Sequence, residues 1–125
     1  MSKISIIGAG NVGATIANDL MLEGIASEIV LVDINKKKAR GEAMDIYQGA
    51  TFCAPCIVRS GEYSDPANSN IIIITCGIAR KPGMTRLDLA QGNGNILKDG
   101  AARADAIAQK TMQRVKDSFG LGLGR

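Results

Sequence analysis

The stretch Lys3-Ile-Ser-Ile-Ile-Gly8-Ala-Gly10-Asn-Val-Gly13 narrows the folds open to this chain more than any other, because an apolar strand runs straight into a G-x-G-x-x-G turn and then into a helical pattern. Each glycine has a physical task. Gly8 permits the tight turn out of the strand, Gly10 lets the backbone approach a pyrophosphate, and Gly13 lets the helix pack close to the strand. Phosphates would then sit on the free N–H groups at the helix start, where the macrodipole favours an anion. Taken alone the pattern also fits a tight packing turn. The context favours a dinucleotide site: a strand precedes it, a helix follows, and Asp33 stands twenty residues past Gly13 at the end of the next apolar run, Ile29-Val-Leu-Val-Asp33.

The rest of the chain continues the alternation. Val12, Ile16 and Leu20 fall four apart, with Ala17 and Met21 beside them, which predicts a helix from about Asn11 to a stop at Gly24. A strand ends at Asp33. Asn35 is a reasonable cap for a helix from Lys36 to about Gly49, with Ala39, Ala43, Ile46, Tyr47 and Ala50 on one face. The run Lys36-Lys37-Lys38 reads as a solvated outer face, with phosphate recognition as the alternative. Cys56 to Ser60 forms a short third strand, and Glu62 to Asn70 a loop. The four isoleucines in Asn70-Ile-Ile-Ile-Ile-Thr-Cys-Gly77 predict a strand buried on both faces of a helix-covered sheet. Right-handed crossovers then give an α/β, Rossmann-like parallel sheet of order 3-2-1-4, with the glycine turn at the switch point where ligands bind.

From Thr85 a further helix begins, with Thr85 and Asp88 spaced as a capping box. Its apolar stripe runs through Ile96, Leu97, Ala101, Ala104, Ile107, Ala108, Met112, Val115 and Phe119. As one piece from Arg86 to Phe119 it would be about 50 Å long, more than the roughly 35 Å diameter of a compact domain of this length. It is therefore expected either to break near Gly94 or Gly100 or to pack its far half on a partner chain, as a homo-oligomer burying Ile107, Met112 or Val115. Gly120 to Arg125 reads as a frayed end. The expected organisation is a dinucleotide-binding half-domain over residues 1–97 and a helical extension over 98–125, with no linker between them.

Charge and composition exclude other classes. Of 15 Lys/Arg and 12 Asp/Glu, residues 1–97 carry nine of each, so the excess lies in the tail. With two Phe, two Tyr and no Trp, the chain lacks the stacking aromatics of a nucleic-acid binder. No apolar run is long enough to span a bilayer. Lys3 leads at once into a short strand rather than a secretory leader, and three cysteines, an odd number, suggest reduced thiols; a cytoplasmic location is expected.

The segment Gly77-Ile-Ala-Arg80-Lys-Pro-Gly-Met-Thr-Arg86-Leu-Asp-Leu-Ala-Gln-Gly-Asn93, together with Gly8 to Gly13 and Asp33, resembles the N-terminal half of the lactate/malate dehydrogenase family, more its malate branch, over about residues 3–99. The resemblance implies NAD as cofactor. Gly8, Ala9, Gly10, Asn11, Val12 and Gly13 would hold its pyrophosphate, and Asp33 the adenine ribose, disfavouring a 2′-phosphate. Ile34, Thr75, Cys76, Gly77 and Asn93 complete the implied cofactor set. Arg86 matches the arginine that polarises the substrate carbonyl. Arg80 matches the specificity position, where an arginine recognises the second carboxylate of malate or oxaloacetate, a tricarboxylic acid cycle pair, and lactate-specific relatives carry glutamine. On the residues alone, two cations six apart on a Gly/Pro-hinged loop suit an anionic substrate and a closing lid, or else form a solvated basic loop.

Three features depart from that pattern. The chain has no histidine, whereas the family takes its proton relay from a histidine, so the chain is not expected to be a competent dehydrogenase alone. After Leu97 the sequence drifts, with Gly94 in place of a larger apolar residue, and the end looks foreign or redesigned. Cys76 replaces a small residue facing the cofactor cleft. The pair Cys53-Ala-Pro-Cys56 closes a helix rather than opening one, unlike a thioredoxin-type motif, and the chain cannot supply four thiol or imidazole ligands to zinc. It reads as structural, with adventitious disulfide formation the alternative and no metal expected. Beside the NAD-binding reading stand a non-catalytic, self-associating structural module and a lactate dehydrogenase-like half.

Overall fold

The structure, a computed structural model, describes residues 2–118, apart from the side chains of residues 103–105, 107, 108, 111, 115, 116 and 118. The expected frayed end at Gly120 to Arg125 therefore lies outside the described residues, as do Phe119 and the side chains of Ala104, Ile107, Ala108 and Val115. The elements run β1 (Lys3–Ile7), α1 (Asn11–Leu22), β2 (Glu28–Val32), α2 (Lys36–Gly49), a 3₁₀ turn at Ala50–Phe52, β3 (Ile57–Ser60), β4 (Ile71–Ile74) and α3 (Arg86–Ser118). Contacts divide the chain into two compact units, Met1–Gly77 and Ile78–Arg125, a division ahead of residue 97. Each unit is described by itself.

The first unit is a four-stranded sheet of order β3-β2-β1-β4, and all three strand pairs are parallel. The register aligns Ile4 with Ile29 and Ile71, and Ile6 with Leu31 and Ile73. Local chemistry explains where the helices stop and start. α1 ends as a Schellman motif, in which Gly24 at φ +65° donates to the Met21 carbonyl at 3.1 Å and Ile25 to that of Leu20 at 3.3 Å. Asn35 caps α2 by accepting from Lys38 N–H at 3.1 Å. The core between helices and sheet holds Ile4, Ile6, Ile29, Leu31 and Val58 from the strands, Ala17 and Met21 from α1, and Ala39, Ala43 and Ile46 from α2. Tyr47, expected on that inner face, is about half exposed.

The four-isoleucine strand departs from expectation. Ile71, Ile72 and Ile74 are each roughly half exposed, at 53%, 49% and 54%. β4 is an edge strand, paired to β1 alone, and a strand is buried on both faces only where helices cover both. Polar contacts brace the other margin of the sheet. Arg59 on β3 donates Nε to Glu28 Oε1 at 2.8 Å and both terminal nitrogens to Asp65 Oδ1 at 3.2 Å. Asp65 Oδ2 accepts the Glu62 N–H at 2.6 Å. The buried Ser5 hydroxyl is satisfied by Ser69 Oγ at 2.7 Å.

In the second unit α3 is continuous over 33 residues, straight across Gly94 and Gly100, so of the two alternatives expected for it the break does not occur. A glycine in a helix interior costs about 1 kcal/mol. That weakens a helix without forbidding it, and the alanines at 101, 102 and 104 are strong helix formers. The helix starts as its spacing predicts: Asp88 N–H donates to Thr85 Oγ1 at 3.1 Å and Thr85 N–H to Asp88 Oδ2 at 3.0 Å, a reciprocal capping box. No helix among the described residues is long and apolar enough to cross a membrane.

Asp65 supplies a test of the brace. Its carboxyl is held below the usual carboxylate range, first by the Glu62 N–H and then by Arg59. A depressed folded value means that the contribution to stability is complete above the unfolded value, near pH 4, and lost as pH falls through the folded one. Asp65→Asn is expected to lower the thermal midpoint at pH 7 and to narrow the gap from wild type below about pH 4, measured by circular dichroism across pH.

Candidate functional site

The carboxyl ends of β1, β2 and β4 converge on the glycine turn. Gly8 N–H donates to the Val32 carbonyl at 2.8 Å, and Thr75 N–H donates to that of Ile7 at 2.8 Å. Thr75 Oγ1 donates to the Gly8 carbonyl at 2.9 Å, so its side chain clamps the turn from the β4 side. Asp33 clamps it from the β2 side. Its Oδ2 accepts the Ala9 N–H at 2.7 Å and its Oδ1 the Asn35 N–H at 2.8 Å. Two backbone donors thus fix the carboxylate in place, and its remaining lone pairs can accept hydroxyl groups.

The three glycines differ in what makes them necessary. Gly8 has φ +111°, and a Cβ there would fall 2.6 Å from the Cys76 backbone nitrogen. A Cβ on Gly13 would run into the Gly8 carbonyl oxygen and stand 2.9 Å from Thr75 Oγ1. These two are required by the fold itself. Gly10 is not: a Cβ on it would meet nothing within 4 Å. The space it keeps clear lies outside the protein, in front of the first turn of α1. That helix start carries no side-chain cap and no acidic residue, so among the described residues no side chain answers the N–H groups of Asn11, Val12 and Gly13. The residues fit a bound pyrophosphate by charge and by room.

Around this cradle stand exposed apolar groups, Val12 and Ile34, the latter 88% exposed directly after Asp33. Cys76 and Gly77 are exposed at the end of β4. Tyr63, which no sequence motif singled out, belongs here. Its phenol is pushed above the ordinary value, by partial burial first and then by the nearby Asp33 carboxylate, and it offers a neutral hydroxyl donor at physiological pH. Its only signal in the sequence was its place just after a strand end, where ligands meet such sheets. Lys36, first of the lysine run, pairs with Glu62 at 2.7 Å on an exposed surface, an arrangement worth little in water.

The second unit holds Arg80, Arg86 and Asn93. Arg80 and Arg86 are exposed on either side of a tight turn, Lys81–Met84, closed by Met84 N–H donating to the Lys81 carbonyl at 3.1 Å. Pro82 followed by Gly83 at φ +87° is the arrangement of a type II turn. Arg80 Nε donates to the Met84 carbonyl at 3.1 Å. Asn93 Oδ1 accepts the Ile78 N–H at 2.8 Å. The cysteines are free thiols, Cys56 buried, Cys53 partly so and Cys76 exposed; burial and the neighbouring Cys53 push the Cys56 thiol up, keeping it protonated.

Comparison with known proteins places this arrangement. The family model described as lactate/malate dehydrogenase, NAD binding domain, matches residues 2–116; the match runs past residue 99 and through most of α3. The L-lactate dehydrogenase of Thermoanaerobacter pseudethanolicus is 57% identical over 103 residues, covering 82% of this chain and 33% of that protein. L-lactate dehydrogenase 1 of Clostridium acetobutylicum is 57% identical over 97 residues, 78% of this chain and 31% of that protein. Among solved structures, the minor L-lactate dehydrogenase from Enterococcus mundtii, in a ligand-bound form, superposes with TM-score 0.73 at 36% identity over 98% of this chain and 35% of that one. Malate dehydrogenase from Archaeoglobus fulgidus, in complex with NADH, gives TM-score 0.71 at 48% identity over 80% and 35%. The chain spans about a third of the length of these relatives.

The glycine contacts separate packing from binding. Gly13→Ala is expected to cost about 1–3 kcal/mol as overpacking, seen as a lower midpoint in denaturant. Gly10→Ala is expected to stay within about 1 kcal/mol of wild type while weakening dinucleotide binding at least tenfold in a fluorescence titration.

Proposed function

The chain belongs to the lactate/malate dehydrogenase family as its NAD-binding domain, and we propose that it binds NAD through the cradle at Gly8 to Gly13 and presents a carboxylate substrate to it by way of Arg80 and Arg86. The observation that carries this reading is the pairing of Asp33, held by the Ala9 N–H at 2.7 Å, with the uncapped start of α1 and the open space before Gly10. Asp33 receives the adenine ribose hydroxyls and repels a 2′-phosphate, so NAD is preferred over NADP. Ala9, Asn11 and Val12 face the pyrophosphate from the turn. Ile34, Val12 and Tyr63 flank the adenosine, Thr75, Cys76 and Gly77 border the cleft at the end of β4, and Asn93 contributes from α3.

The bound nicotinamide supplies a hydride acceptor or donor. The chain's own part in the chemistry is electrostatic: addition of a hydride to a carbonyl leaves negative charge on oxygen, and the Arg86 guanidinium stabilises it. Arg80 fits a second carboxylate by a two-point contact, which favours malate and oxaloacetate. The 57% identity to L-lactate dehydrogenases favours the second reading, a monocarboxylate. The 125 residues contain no histidine, and general acid–base help is typically worth about 10²–10⁴-fold, so the proton relay of the full reaction is supplied from outside them. A homo-oligomer in the cytoplasm completes the proposal. Met112, Ile71, Ile72 and Ile74, all exposed, support association, and a monomeric mass in light scattering at micromolar concentration would remove that part.

Calorimetric titration with NADH tests the cofactor site. Micromolar binding is expected, weakened at least tenfold by Asp33→Ala; an absence of binding would leave a purely structural module. Substrate class is read on the NADH-loaded chain with unreactive anions. Malonate is expected to bind at least tenfold more tightly than acetate, with Arg80→Gln erasing the difference, as loss of one charged hydrogen-bonded contact allows. Equal binding, or a preference for acetate, would favour the lactate reading.

A further inference from the structure

The loop that carries Arg80 and Arg86 is shaped at three places by contacts internal to the second unit. At its start, the Ile78 N–H donates to Asn93 Oδ1 at 2.8 Å, and Ile78 Cδ1 lies 3.5 Å from where a Cβ on Gly92 would stand. Backbone and side chain of Ile78 are thus both laid on α3, about two turns in from Arg86. At its middle, the Lys81–Met84 turn is closed by its own backbone bond and by Arg80 Nε on the Met84 carbonyl at 3.1 Å. At its end, Thr85 and Asp88 cap α3 reciprocally. The middle and end contacts join near neighbours in sequence. The Ile78–Asn93 bond spans fifteen residues, and among the described residues it is the hydrogen bond that ties the start of the loop to the helix. Without it the start of the segment from Ile78 to Thr85 would be held by the Ile78 side chain alone among these contacts, and more of the entropy of ordering both arginines would fall on the ligand.

We infer that Asn93 is a positioning residue for the arginine pair: its amide oxygen, by holding the Ile78 N–H, fixes the base of the loop so that Arg80 and Arg86 are presented from one preshaped turn. This role is separate from any contact Asn93 makes with cofactor, and it rests on the reading of the loop as an anion-binding element. Asn93 is half-buried, whereas Arg80 and Arg86 are exposed, which suits an anchor beneath two ligand-facing groups.

The test uses the full chain and two substitutions that differ in whether an acceptor remains at this position. Asn93→Ala removes it; alanine is the better helix former, so a weakened α3 cannot explain the result. Asn93→Asp keeps an oxygen in place. Two readouts are followed: hydrogen exchange at the Ile78 amide, and the rate of tryptic cleavage after Arg80, the following Lys81–Pro82 bond being resistant to trypsin. Asn93→Ala is expected to speed both about fivefold, the change that losing one net hydrogen bond allows, and Asn93→Asp to return both to within about twofold of wild type. Wild-type rates in Asn93→Ala, or an Asn93→Asp variant as fast as Asn93→Ala, would overturn the inference. So would a fall in NADH affinity in Asn93→Ala with Ile78 exchange unchanged. Failure of the cofactor reading would show instead as absent NADH binding by the wild-type chain, with the loop readouts intact.

Discussion

The hydrogen bond from the Ala9 N–H to Asp33 Oδ2, 2.7 Å long, is the contact on which the arrangement of the first unit turns. It joins the ends of β1 and β2 through a side chain at the point where their ladder stops. On the opposite side Thr75 Oγ1 holds the Gly8 carbonyl, so one turn is fixed from both flanks. Gly13 can then lie so close to Gly8 that no side chain fits between them. The same packing aims the start of α1 outward, and the room before Gly10 follows from it. Structure and binding capacity are therefore one arrangement here: the contacts that stabilise the turn also orient its unanswered donors.

Asp33 shows how such a group does two jobs. A carboxylate offers about four lone-pair positions, and backbone N–H groups occupy one on each oxygen. Those bonds hold it rigid at no cost to its remaining acceptor capacity. A free aspartate at a strand end would pay side-chain entropy on binding. This one has already been ordered by the fold, which is the advantage of building recognition from groups that also serve packing.

Much of this was legible in the residues before any coordinates. The sheet order follows from alternating strand and helix patterns with the glycine turn at the switch, and the Asn35 cap and the Thr85–Asp88 box occur where their spacing puts them. The misreadings share a cause. Four isoleucines record that β4 suits burial on two faces, but not whether this chain supplies a neighbour beyond it, and at the sheet edge three of them stand half exposed. Gly94 and Gly100 record a local cost and not the balance of a 33-residue helix. Tyr63 was missed because its link to Asp33 and Cys76 is spatial only. Asn93 was matched to a cofactor-contacting position, and its bond to Ile78 could not be seen from a linear string.

The central claim is that the turn from Gly8 to Gly13, with Asp33, receives the dinucleotide. Amide chemical-shift mapping of the chain during titration with NADH tests it most directly. The largest changes should fall on the backbone N–H groups of Ala9 to Gly13 and on Asn35, whose amide shares the Asp33 carboxylate, while the outer face of α2 stays still. Shifts confined to other surfaces, or none at saturating NADH, would contradict it.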